Sequence, residues 1–275
     1  MPEIPSAGQL TLLVAAIAMF AAAEVFSLLR LWGGQERGRI PAKASLYWGI
    51  TLGLCVLIWH SVRRGNWLPL QDNFDALLWL GLLLALFVAY TQRVHPLRGL
   101  DSFIVPIVLL LLVAAAIFGR EKPHEYVGDA WSWAHRMTAY GGALAFAVAG
   151  AVGAMYLIAD RRLRHKQTVN LASLERLEHF TRVSVGLGFP LLTVGMITGL
   201  VRALDMHGGS DLGPQWYESP KVWLAVAAWL VYALVLHAPM NPIFRGRRAA
   251  LLSVVGLILM IGTLVAVQYV PAASR

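Results

Sequence analysis

Apolar runs close to or above about 18 residues recur along the whole chain, and a run of that length, wound as a helix, spans the hydrocarbon core of a bilayer. Eight can be drawn, at approximately residues 8–30, 45–62, 74–91, 102–119, 133–160, 183–203, 219–238 and 248–270. Lipid offers backbone groups no hydrogen-bond partners, so each run satisfies its own as a helix. The expected fold is all-α: a polytopic membrane helix bundle of about eight transmembrane helices. Composition agrees, since only 14% of the 275 residues are charged and 58% are hydrophobic, against roughly a quarter charged in soluble domains.

The connections are too short for a soluble domain, the longest being 161–182. A single membrane domain over 1–275 is expected, with a four-helix N-terminal part at 1–120 and a second part at 121–275. The net charge of +8 reads as basic loops obeying the positive-inside rule rather than a nucleic-acid footprint. Loop 161–182 carries Arg161, Arg162, Arg164, Lys166, Arg176 and Arg182, the last loop Arg245, Arg247 and Arg248, and the first Arg37, Arg39 and Lys43. Eight spans put these three on one side, the cytoplasmic one, and both termini outside. The acidic connections 120–132 and 204–218 then lie outside too, with Arg63 and Arg64 a mild exception. MPEIPSA has no basic leader region, so the first run is expected to stay as a span.

The single cysteine, Cys55, excludes disulfides, CxxC redox pairs and CxxCH haem attachment within this chain. No HExxH, P-loop, GxSxG or carboxylate-rich cation motif occurs. Gly141, Ala145, Ala149 and Gly153 in the fifth run, and Gly186, Gly188, Gly195 and Gly199 in the sixth, read as small residues that let helices approach; Pro190 reads as a kink. Ionisable groups inside or at the ends of spans are where chemistry is sought. Glu24 lies mid-span. Three histidines sit at span ends: His60 closes the second, His135 opens the fifth between tryptophans and close-packing glycines, and His237 closes the seventh. Each suits either a hydrogen-bonded anchor or a haem-iron ligand, because neutral imidazole commonly ligates haem. Pro220 to His237 covers roughly 25 Å of helix. His237 therefore cannot share an iron with His135, whereas His60 and His135 both lie toward the outer face.

The order of these features resembles the cytochrome c assembly membrane proteins, the CcsA/ResC/CcmC group that also contains the HemX and YpjD-like branch. The resemblance covers most of the chain and is best from about residue 125 onward, the family core. It rests on HRMTAYGGALAFAVAGAVGAMYLIADRRLR, LERLEHFTRVSVGLGFPLLTVGMITGLVRA and SPKVWLAVAAWLVYALVLH, with weaker similarity in VLIWHSVRRGNWLPLQDNFDALLWL and LRGLDSFIVPIVLLLL. Of the family's tryptophan-rich haem loop, W-G-x-x-W-x-W-D-P-K-E, this chain keeps Gly213, Trp216, Pro220 and Lys221; Glu218 and Ser219 stand where the family has tryptophan and aspartate. His135 matches the family's first external haem-ligating histidine and His237 its second membrane histidine. The Gly-His-x-Pro turn of the first membrane histidine is Gly65, Asn66, Trp67, Leu68, Pro69 here, leaving His60 as the nearest imidazole. No counterpart of the second external histidine occurs in GTLVAVQYVPAASR.

The resemblance implies a haem-handling protein of a bacterial-type cytoplasmic membrane, more an assembly factor than an enzyme. It would bind or pass haem b for cytochrome c maturation or haem supply, with His135 and His237 as axial ligands and apocytochrome c or another membrane assembly subunit as partner. The departures in the loop point toward the HemX/YpjD-like branch. Two alternatives are a non-haem accessory or scaffold subunit using loop 161–182, and a haem-b quinone redox subunit.

Overall fold

The structure, a computed structural model, describes residues 6–33, 38–119, 130–167, 171–204, 217, 219–238 and 244–269. Its eight helices are α1 (Ala7–Gly33), α2 (Arg39–Arg64), α3 (Asn73–Val94), α4 (Asp101–Phe118), α5 (Ala130–Arg164), α6 (Leu174–Leu204), α7 (Pro220–His237) and α8 (Arg247–Tyr269). No strand occurs among the described residues. The all-α polytopic bundle expected from the apolar runs is what the chain forms. Seven of the helices, α1 to α6 and α8, are long and apolar enough to cross a membrane. The apolar stretch of α7, Val222–His237, is shorter.

Local chemistry sets the helix ends. Gly65 stops α2 in the left-handed region at φ 68°, donating its N–H to Val62 O at 3.1 Å. Asp72 caps α3 by accepting the Asp75 N–H at 2.7 Å. Pro220 opens α7 at the first helical position, where a missing N–H costs nothing. The sixth helix departs from its expected start at 183 and begins at Leu174. The added turns, LERLEHFTR, are charged but contain no breaker, and Ser173 caps them by accepting the Arg176 N–H on its hydroxyl at 3.5 Å.

The chain divides into two compact units, one holding α1–α4 and the other α5–α8. In the first, α1 packs on α2, α2 on α3, α3 on α4 and α4 back on α1, closing a four-helix ring. Phe20, Phe74, Leu78, Leu82, Ile104 and Leu112 are fully buried in it. In the second, α5 packs most extensively on α6, α7 on α8, α5 on α8 and α6 on α7. Its core centres on Tyr232, whose ring stacks on Phe146 at 3.5 Å between centroids. A Cβ on Gly256 would lie 2.6 Å from that tyrosine ring, so α8 can pass Tyr232 only with glycine there. On α6, Val183, Leu187, Leu191, Val194, Ile197 and Val201 are all exposed at three- and four-residue spacing. A bare apolar stripe of that length suits acyl chains rather than water.

Candidate functional site

His135 sits near the start of α5 and faces α6. Its Nδ1 donates to the Gly195 carbonyl oxygen at 2.7 Å. A carbonyl only accepts, so the proton is on Nδ1 and the lone pair of the neutral ring is on Nε2. The ring fits because Gly199, one turn beyond Gly195, has no side chain: a Cβ there would lie 2.9 Å from His135 Cε1 and 3.0 Å from Nδ1. At Gly195 itself a Cβ would lie 3.1 Å from the Ala139 nitrogen, so both glycines of GMITG permit the close approach of α5 and α6. The sequence assigned these glycines to packing, which they perform. What it missed is that the gap they leave receives an imidazole from 60 residues away. A histidine whose Nδ1–H is held by a backbone carbonyl, with Nε2 turned to its task, is the usual arrangement of a metal-ligating imidazole. Trp131, exposed, lies a turn before His135 on α5.

His237 ends α7, exposed, with its Nδ1 donating to Ala233 O of its own helix at 2.7 Å. Its neighbours Val235 and Ala238 line a cleft with Tyr156 and Arg245. Tyr156 lies 21 residues beyond His135 on α5, about 32 Å along the axis. The two imidazoles thus stand at opposite ends of this unit, as the length of α7 required. Pro220 is exposed at the start of α7, at the end where α6 finishes and His135 begins. Gly213 and Trp216 lie outside the described residues, as does the Lys221 side chain.

His60 has a different environment. It is 2% exposed, with Nε2 on Asp72 Oδ2 at 2.9 Å and Nδ1 in a long 3.5 Å contact with Gln9 Nε2. Phe74 packs on its ring at 5.0 Å. Arg64 donates to both Asp72 and Asp75, at 3.0 and 3.3 Å, and Arg63 to Gln9 Oε1. Burial would raise the Asp72 carboxyl, but hydrogen bonds from His60 and the Asp75 N–H, with the charge of Arg64, outweigh it and hold it below its ordinary value of 3.8. Both His60 nitrogens face protein groups, so this is a structural histidine joining α1, α2 and α3. The signal for it was in the sequence: QDNFD is an aspartate cap placed twelve residues after the histidine.

At the opposite end of the same four-helix unit, Asp101 opens α4 and is 4% exposed. It accepts from Arg30 at 2.5 Å and Ser27 at 3.0 Å, both on α1. Glu24, one turn before Ser27, is buried. Among the described residues no cluster of three or more histidine, cysteine, aspartate or glutamate side chains has the spacing of a metal site.

Parts of the chain are similar to known proteins. The chain is 42% identical over 86 residues to the cytochrome c biogenesis protein CcsA of Thermosynechococcus vestitus, covering 31% of this chain and 25% of that protein. It is 35% identical over 119 residues to CcsA of Rippkaea orientalis (43% of this chain, 33% of that one) and 30% over 105 residues to CcsA of Mesostigma viride (38% and 32%). These matches span about a quarter to a third of the length of the curated relatives. Among solved structures the cytochrome c heme lyase CcmF superposes with a TM-score of 0.61 and 17% identity, covering 96% of this chain and 52% of that one. At that identity the likeness is one of fold. The family model described as cytochrome C assembly protein matches residues 67–270, from the turn before α3 to the end of α8. With that match running over about three quarters of its length, the chain belongs to the cytochrome c assembly protein family.

Proposed function

We propose that this multi-pass membrane protein handles haem b for cytochrome c maturation or haem supply, in a bacterial-type cytoplasmic membrane. The observation that carries the reading is the His135 imidazole, set between Gly195 and Gly199 with Nδ1–H on a backbone carbonyl so that Nε2 is the ligating atom. His135 would hold the iron of a bound haem, which would supply the redox-active metal centre; the chain's own contribution is to fix the ring's tautomer through Gly195 O. Pro220 and Lys221 open α7, and with Gly213 and Trp216 before them they keep part of the family's tryptophan-rich pattern; in this reading the four would face haem. His237, about 32 Å along α5, serves a separate contact at the other end, as ligand or relay. The shortened tryptophan pattern in the loop supports a place in the HemX/YpjD-like branch, with apocytochrome c or another membrane assembly subunit as partner.

The test is to purify the full chain in mild detergent from cells supplied with excess haem, then record the visible spectrum and a pyridine haemochrome. A Soret band with a haem b haemochrome is expected. A colourless protein overturns the reading and leaves an accessory scaffold built on the same bundle.

A further inference from the structure

A cavity of about 290 Å³ opens at the end of the α1–α4 unit where α1 and α3 finish and α2 and α4 begin. Four cations line it: Arg30, Arg39, Lys43 and Arg98. Asp101 is the one carboxylate among the described residues of the lining, and it is already committed to Arg30 and Ser27. Among the described residues of the wall, the positive charge of Arg39, Lys43 and Arg98 therefore has no acidic counterpart. These cations lie near the end of α1, at the start of α2 and in the α3–α4 connection, which alternating spans place on the same side. It is the side that the positive-inside rule assigns to the cytoplasm.

From this cavity we infer a binding site for a phosphate-bearing anion, the headgroup of an anionic phospholipid of the inner leaflet. Volume and chemistry agree: the space lies at the lower end of small-molecule pockets, too small for a macrocycle, and guanidinium and ammonium groups converge as they do on phosphates. Basic pockets between transmembrane helices on the cytoplasmic side take lipid headgroups for this reason. Exposed apolar side chains on the helices that bring these cations favour a lipid over a free anion. Ile40, next to Arg39, is 80% exposed and Trp48, two turns on, 61%, while Tyr90 and Val94 show bare faces on α3. The site is independent of His135 and stands or falls apart from haem binding.

The experiment follows the thermal midpoint of the full chain in detergent micelles titrated with phosphatidylglycerol, with phosphatidylcholine as the neutral control. Inorganic phosphate is tested in parallel. Phosphatidylglycerol is expected to raise the midpoint saturably. In the triple variant Arg39→Gln/Lys43→Gln/Arg98→Gln the half-saturating concentration should rise roughly 100-fold, about fivefold per cation removed. A control with the same charge change elsewhere, Arg161→Gln/Lys166→Gln/Arg176→Gln, should bind as the native chain does. A phosphate-induced shift that the triple variant loses would assign the same site to a free anion and overturn the lipid assignment. An equal response to phosphatidylcholine, or a control variant as impaired as the triple variant, would overturn the site itself. Arg98→Gln alone, at an exposed position, gives the expected fivefold change should the triple variant fail to fold.

Discussion

Gly199→Ala separates the role of the α5–α6 contact in placing His135 from its role in holding the bundle together. The added methyl would lie 2.9 Å from Cε1 and 3.0 Å from Nδ1 of the imidazole, closer than carbon atoms settle. Something must move, and the ring, hydrogen-bonded to Gly195 O at 2.7 Å, moves more easily than two packed backbones. Breaking such a bond in a membrane bundle costs about 0.6 kcal/mol. Replacing glycine by alanine within a helix returns up to about 1 kcal/mol through backbone entropy. The two nearly cancel, so the unfolding midpoint should change little. Haem affinity should not be spared, because displacing the group that orients a ligating histidine typically costs 10–100-fold. Titrating apoprotein with haem and following the Soret band would measure the affinity, while circular dichroism on the same sample would follow the fold. A variant with native affinity and native stability would refute the reasoning, since the imidazole would then not depend on the gap that Gly199 leaves.

Other outcomes follow from the packing and charge already described. Asp72→Asn keeps the α3 cap but removes a carboxylate held below its ordinary value. That carboxylate's stabilisation is full above about pH 4 and disappears as the pH falls through its lowered value, so the native chain should lose thermal stability in acid along a limb that the variant lacks. Gly256→Ala would drive a methyl to 2.6 Å from the Tyr232 ring, which Phe146 holds from the other face at 3.5 Å; an overpacking cost of about 1–3 kcal/mol should appear as a lower unfolding midpoint. Arg30→Gln leaves Asp101, 4% exposed, without its ion-pair partner, and should destabilise the chain by about 3–5 kcal/mol, whereas Arg161→Gln at an exposed position should change stability by less than about 0.5 kcal/mol.

The spans were legible because lipid imposes a simple rule on composition, and six of the eight helices could be placed from hydropathy within about four residues at both ends, while α2 begins six residues before its expected start, at Arg39. The start of α6 was not, since LERLEHFTR is too charged to score as apolar, and its helicity depends on Ser173 and the absence of breakers. Within the site, His135 and the glycines of GMITG each stood out, but their meeting spans 60 residues and is a property of how α5 lies on α6. For His60, end-of-span position and imidazole chemistry allowed both an anchor and a ligand. The decision came from Asp72 and Gln9, which the fold brings to its two ring nitrogens. The pairing of Arg30 with Asp101 crosses 71 residues and carried no local signature, so the basic cavity beside it was invisible until α1 and α4 were packed.

The most direct test of haem handling is the haem content of purified His135→Ala beside the native chain, by pyridine haemochrome, with His60→Ala as a comparison. Loss of haem in His135→Ala, with haem retained in whatever His60→Ala protein folds, is the predicted result. Unchanged haem in His135→Ala would contradict the account.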